Sequence, residues 1–178
     1  ARSTVDSRIF PTRGSRASAG FERTGVFGGD YDFTRVFAEG NIFFTVDEDF
    51  FGRRTVLSFR SEVGYIIEDN EAPLFERFYA GGHHSFRGFA FRGVGPRGIR
   101  ADNGTLGDDA VGGEWMFLLG TEYNFPIYQE FVRGVLFVDS GTVQEDIGFD
   151  EYRVSVGAGI RLKLPFLGQA PFAFDLAF

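Results

Sequence analysis

Between Arg54 and Tyr65 the chain alternates. Thr55, Leu57, Phe59, Val63 and Tyr65 fall on one side, with Ser61 as the one polar interruption, and Arg54, Ser58, Arg60, Glu62 and Gly64 fall on the other. A period of two is the signature of a strand with two unlike faces. The split is cleaner between Glu114 and Phe125, where Trp115, Phe117, Leu119, Tyr123 and Phe125 oppose Glu114, Met116, Gly120, Glu122 and Asn124. The same pattern covers 16–27 (Ala17, Ala19, Phe21 against Arg16, Ser18, Gly20, Glu22) and 33–44 (Val36, Ala38, Ile42, Phe44 against Arg35, Glu39, Asn41). It returns over 132–141, 152–164 and 172–178. Seven full strands are predicted, with a partial one before Phe10.

Short and longer links alternate between these strands. Short turns are predicted at PTRG (11–14), VDEDFFG (46–52), FPIYQ (125–129) and PFLGQAP (165–171), all carrying Pro, Gly or acidic residues that leave a ladder. The longer links are FGGDY and its neighbours, VQEDIGFDE (143–151) and the stretch 66–113. An antiparallel meander with short links on one side and long ones on the other has the asymmetry of an outer-membrane barrel.

The choice between a membrane barrel and a soluble barrel or sandwich turns on the apolar face. A small barrel has no room inside for a Phe, Tyr or Trp from nearly every strand, whereas a lipid-facing band takes them, and Trp115 and Phe125 stand near the two ends of one strand as an aromatic girdle would. Composition agrees: 24 Phe and 25 Gly in 178 residues favour strands over helices. The polar faces collect Arg16, Arg35, Arg60, Arg133, Arg153, Arg161 and Lys163 against Glu22, Glu39, Glu62, Glu114, Glu122, Asp139 and Asp175. Enclosed charges of balanced sign make a cross-linked wall, not an ion-selective pore. Lys163 is the only lysine among the 18 basic residues, and arginine suits fixed pairing with carboxylates. A net charge of -7 argues against nucleic acid as a partner, and the lack of cysteine removes thiolate chemistry. No run of eighteen apolar residues predicts a membrane-crossing helix.

The link 66–113 is too long for a plain connection and too aromatic for a disordered one, so it is expected to pack against something. In a barrel the polar surface open to it is the lumen. Its centre reads FERFYAGGHHSFRGF, followed by DDAVGG (108–113). Together with FPTRGSR (10–16), FVDSG (137–141) and RVSVGAGIRLKLPF (153–166), these residues resemble, in order and over nearly the whole chain, the BamA-type outer-membrane protein assembly factors of the bacterial surface antigen superfamily, relatives of the Sam and Toc translocases.

The resemblance implies an all-β antiparallel transmembrane barrel, of which residues 1–178 are about eight strands from the C-terminal half of a sixteen-strand family barrel. It implies that the 66–113 loop folds back into the lumen and that its Arg-Gly-Phe motif, here Arg87, Gly88 and Phe89, contacts a wall motif, here Phe137, Asp139 and Gly141. The alternation independently places Asp139 on the polar face beside Arg133, where a buried guanidinium would find the carboxylate it needs. Gly81, Gly82 and Gly88 would allow the tight backbone of a tucked loop. Without the family, Arg87 reads as a loop arginine paired with Asp108 or Asp109. The family does not account for His83 and His84, and two adjacent histidines without further His or Cys make a poor metal site, so no metal and no cofactor are expected.

Glu114 with Glu122, or Asp146 with Asp150, read as wall or loop charges before they read as an acid/base pair. No Ser/His/Asp order or phosphate loop stands out, and an enzyme is not expected. Assembly implies outer-membrane lipids, unfolded outer-membrane protein clients and accessory subunits as partners of the parent protein, in a Gram-negative-type outer membrane. The resemblance places a closing strand, the first half of the barrel and the periplasmic POTRA domains outside this chain, so a fragment or engineered half is expected. The alternatives are a small self-closed passive barrel and a polypeptide-secretion transporter of the same superfamily.

Overall fold

The computed structural model describes residues 1–7, 10–25, 31–49, 51–68, 72–102, 104–129, 131–163 and 172–178. Among them every regular element is a strand: β1 (Arg2–Ser3), β2 (Gly14–Thr24), β3 (Phe33–Glu48), β4 (Arg54–Glu68), β5 (Arg97–Ile99), β6 (Leu106–Ala110), β7 (Trp115–Tyr128), β8 (Val132–Gln144), β9 (Arg153–Leu162) and β10 (Phe172–Ala177). Eight of them form one antiparallel sheet in the order β1-β2-β3-β4-β7-β8-β9-β10, and β5 with β6 makes a separate hairpin. Successive strands are neighbours, as a meander requires. Within the described residues the sheet is open, with β1 and β10 at its two edges. It is a segment of a barrel wall, not the self-closed small barrel.

Most strands run further than the alternation alone suggests. β3 continues to Glu48 and β7 to Tyr128, each through a register shift, at Thr45/Asp47 and at Pro126/Tyr128. Such bulges let a strand absorb an extra residue or a proline that cannot donate to the ladder, so DE at 47–48 and FPIY at 125–128 lie in strands where turns are expected. β4 keeps its ladder to Glu68, three residues into the stretch expected as loop. The turn at 165–171 and most of FGGDY lie outside the described residues.

The two faces separate as the alternation predicts. Phe21, Phe44, Phe59, Leu136, Val154, Phe174 and Leu176 project outward and stay exposed, a surface suited to hydrocarbon. The inner face is built from cross-strand rows. One row reads Arg16, Asn41, Arg60, Gly120, Asp139, Ser155, and the row beside it runs Glu122, Phe137, Gly157, Ala177 across the last four strands.

The core lies between this inner face and the link that follows β4. Phe33, Ile66, Leu118 and Val143 are apolar residues on the inner face, and Phe78, Ala80, Phe86 and Val94 of the link close over them to make one buried cluster. The link is ordered by its own backbone: Phe78 and Gly113 exchange two hydrogen bonds (2.8 and 3.0 Å), and Val94 N–H donates to Ala80 (3.0 Å). Burying apolar side chains against the wall offsets the entropy of ordering so long a connection.

Candidate functional site

The tip of the link is a turn, Gly81–Phe86, whose backbone closes on itself. The Ser85 hydroxyl donates to the Gly81 carbonyl (3.0 Å) and accepts from the Gly81 N–H (2.9 Å), and Phe86 N–H donates to the Gly82 carbonyl (3.1 Å). Arg60 of β4 holds the turn from below, donating to the carbonyls of His84 (2.7 Å) and Ser85. Phe86 is 1% exposed and meets Phe89 edge to face at 5.0 Å. With both rings anchored in the core, Arg87, one of the two residues between them, is aimed at the wall.

Arg87 reaches Asp139 on β8 three times. Its Nε lies 2.7 Å from one carboxylate oxygen, its Nη2 lies 3.0 Å from the other, and its backbone N–H donates to the first at 3.1 Å. Its remaining Nη1 donates to Glu122 on β7 at 3.0 Å and stands 3.7 Å from Asp175 on β10. The guanidinium lies over the Phe137 ring, 3.6 Å from its centroid. Phe137 and Glu122 are cross-strand partners, as are Gly120 and Asp139, so the sheet register brings ring and carboxylates together, and a Cβ on Gly120 would stand 3.1 Å from an Asp139 carboxylate oxygen.

The electrostatics favour one state. The Asp139 side chain is 2% exposed, and an isolated carboxylate there would be strongly disfavoured. Burial opposes the charge on Arg87, and the hydrogen bonds and charges of Asp139 and then Glu122 outweigh it, so its pKa is raised. The guanidinium therefore keeps its charge and acts as a mechanical tie between loop tip and wall.

The motif's other residues sit around this tie. Gly88 has φ +89°, and a Cβ on it would stand 2.9 Å from Ser155 of β9, so the loop passes the wall only with glycine there. Gly81 and Gly82 both have positive φ at the start of the turn. Gly141 is placed where a side chain would strike the Phe117 carbonyl. Phe89 packs against the core cluster and lies 5.8 Å under Arg153.

The inner charges divide by position. Glu122 and Arg161 join the Arg87 group, while Glu114 pairs with Arg77 of the link (3.5 Å). Glu62 lies 3.7 Å from Arg60, Arg153 lies 3.7 Å from Glu151, and Arg133 donates to Asn124 (2.5 Å) and to the Arg54 carbonyl (2.6 Å). Arg133 shares a face with Asp139 and makes no part of its tie. Of the two other candidate partners for Arg87, Asp108 pairs with Arg100 at the surface, and the carboxylates that meet Arg87 are those of Asp139, Glu122 and Asp175, not that of Asp109. His83 and His84 are exposed, with ring centroids 3.6 Å apart and planes tilted by 43°, and no group of metal ligands forms among the described residues.

Ser155 is a part of the site that the sequence reading missed. It is 1% exposed and donates to the Arg87 carbonyl at 2.5 Å. Its parity in β9 puts it on the polar face, and only its register opposite Asp139 marks it out.

Comparison with known proteins places this geometry. The chain is 30% identical over 184 residues to an outer membrane protein assembly factor BamA of Nitratidesulfovibrio vulgaris, an alignment covering 97% of this chain and 21% of that protein. Its fold is similar to the crystal structure of BamA from Haemophilus ducreyi lacking POTRA domains 1–3, with a TM-score of 0.84 at 24% identity over 98% of this chain and 36% of that one. The chain thus spans a minor part of each of these relatives. A family model described as the Omp85 superfamily domain matches residues 1–178, and the chain belongs to the Omp85 superfamily.

Proposed function

We propose that residues 1–178 form part of the transmembrane barrel of an outer-membrane assembly factor that folds and inserts other outer-membrane proteins. The link that follows β4 is read as the extracellular loop, with its part from Phe78 to Val94 lying in the lumen. The observation that carries the reading is the Arg87 tie: a loop motif and a wall motif, far apart in sequence, meet in a fold similar to the BamA barrel. A likeness covering 97% of the chain to a protein named as an outer membrane protein assembly factor supports it.

The role is mechanical and involves no bond-making. Every carboxylate around Arg87 is engaged with a guanidinium, which leaves neither a general base nor a nucleophile facing a substrate. Partners of the whole protein would be outer-membrane lipids, unfolded client barrels and accessory subunits, and its place the outer membrane of a Gram-negative-type envelope. The outward band around Phe21, Phe59 and Leu136 would meet the lipid.

The test reconstitutes the whole protein in phospholipid vesicles and follows the folding of a urea-denatured outer-membrane barrel by its gel mobility. Faster folding than in protein-free vesicles is expected, with the gain reduced by Arg87→Ala. Equal rates with and without the protein would overturn the assembly reading.

A further inference from the structure

Two links leave the sheet at the same end and go opposite ways. The one after β4 folds over the inner face, whereas the link 145–152, between β8 and β9, turns back over the outer one. Trp115 and Phe117 alternate with Met116 and Leu118 of the covered inner face, so they stand on the outside of β7. Phe149 meets both edge to face, at 6.3 and 5.4 Å, and lies 6.0 Å from Tyr152. Tyr65 of β4 extends the row, edge to face with Trp115 at 6.3 Å.

Thr142 shows how closely this rim is covered. It is the cross-strand partner of Phe117 and shares the outward parity of Leu136 and Val138, which are 51% and 42% exposed, yet it is itself 0% exposed.

The carboxylates of Glu145, Asp146, Asp150 and Glu151 would suit a connection standing in water. The backbone between them is arranged otherwise. The Asp146 carbonyl accepts from the Gln144 side-chain amide (3.1 Å), and the Gly148 carbonyl accepts from the Trp115 indole N–H (3.0 Å). Glycine makes that fit possible, since a Cβ on Gly148 would stand 2.6 Å from the Gln144 amide nitrogen. The Tyr152 hydroxyl donates to Ser140 at 2.9 Å. Carbonyls satisfied by side chains need no water, a condition for backbone placed beside hydrocarbon. Ile147 and Phe149, by contrast, stay exposed, and Phe149 joins the outward apolar band through Phe117.

We propose that the link 145–152 is a membrane-interface anchor, in which Ile147 and Phe149 enter the boundary between headgroups and acyl chains and Trp115 holds the link in place. Aromatic rings with a polar handle are suited to that level of a bilayer. The carboxylates set the depth: they flank the two apolar side chains on both sides in sequence, and charge is excluded from hydrocarbon, so the link lies at the headgroups and no deeper. A zwitterionic surface fits so acidic a segment better than an anionic one. The inference rests on the reading of this sheet as barrel wall in a bilayer and gives the link a place that reading leaves open.

Nitroxide labels on single cysteines, introduced in turn at Ile147, Leu136 and Asp108 of the whole protein in phosphatidylcholine vesicles, test it. Electron paramagnetic resonance compares their collisions with oxygen, which concentrates in lipid, and with a water-soluble nickel chelate. Leu136 and Ile147 should both favour oxygen severalfold relative to Asp108, whose side chain is 97% exposed on the β5–β6 hairpin, with Ile147 the shallower of the two. Trp115→Phe keeps a ring but removes the N–H that holds Gly148, so it should shift the Ile147 ratio toward that of Asp108 and leave Leu136 unmoved. Ile147 is exposed in the parent, so its label leaves the packing of Phe149 undisturbed. A ratio at Ile147 equal to that at Asp108, with Leu136 in lipid, would overturn the anchor. An unmoved Ile147 ratio in Trp115→Phe would overturn the part given to Trp115. Leu136 itself in water would overturn the barrel-wall reading, and the anchor with it.

Discussion

The inner face of the sheet has two halves built from the same strands. β4 carries Ile66 at one end, 1% exposed under the loop, and Arg54 at the other, with a side chain 41% exposed. On β8, Asp139 is buried beneath Arg87, while Arg133 lines an open cavity of about 470 Å³ with Arg54, Ser58, Asn124 and Lys163. Covered by the loop, an alternating strand acquires an apolar core and a desolvated ion pair. Left open, the same alternation gives a wet, charged wall. Charge pairs in the two halves therefore differ in worth, because the cost of breaking one rises with the desolvation of the partner left behind.

This contrast can be broken from either side. The largest effect is expected from Asp139→Ala, which leaves the Arg87 guanidinium largely enclosed and short of its main partner. Urea unfolding of the whole protein in bilayers should show a loss of about 3–5 kcal/mol, and limited proteolysis should cut within 72–113 where the parent resists. Phe86→Ala, which removes the ring that anchors the tip, should follow at roughly 3 kcal/mol in the same assay. A loss below about 1 kcal/mol in either would mean that the loop is not held by the wall.

In the open half, Arg54→Gln breaks pairs with Glu48 (2.9 Å) and Asp6 (3.6 Å) that water already screens. A change of less than about 1 kcal/mol is expected, and a loss matching that of Asp139→Ala would erase the distinction between the halves.

The smallest effect is a pH response in the link before β2. Thr12, first through its hydroxyl and then through its N–H, lowers the Asp6 pKa to about 2 from its ordinary 3.8. A depressed carboxylate pKa stabilises the fold above the unfolded value and loses that contribution as pH falls through the folded one. Ordering of the link should thus be intact above pH 4 and decline toward pH 2. A carboxyl-carbon NMR titration of Asp6 checks this, and a midpoint near 3.8 would contradict it.

Much of the fold was legible because strands with two unlike faces write their period into the sequence. The inward placement of Asp139 follows from parity alone. The buried cluster was not legible, since Phe33, Ile66, Leu118 and Val143 look like interruptions of a polar face until a loop covers them. The β5–β6 hairpin was hidden because RGI and LGDDA are too short to show a period. Ser155 and the reach of Asp175 were hidden for another reason: both depend on cross-strand register, which side-chain period does not specify.

Arg87 and Asp139 act as one unit joining loop to wall. A double-mutant cycle of Arg87→Gln and Asp139→Asn, read by urea unfolding of the whole protein in bilayers, tests it most directly. The second substitution should cost little once the first is made, with a coupling energy of about 2 kcal/mol or more. Losses that add to within about 0.5 kcal/mol would show two independent residues and contradict it.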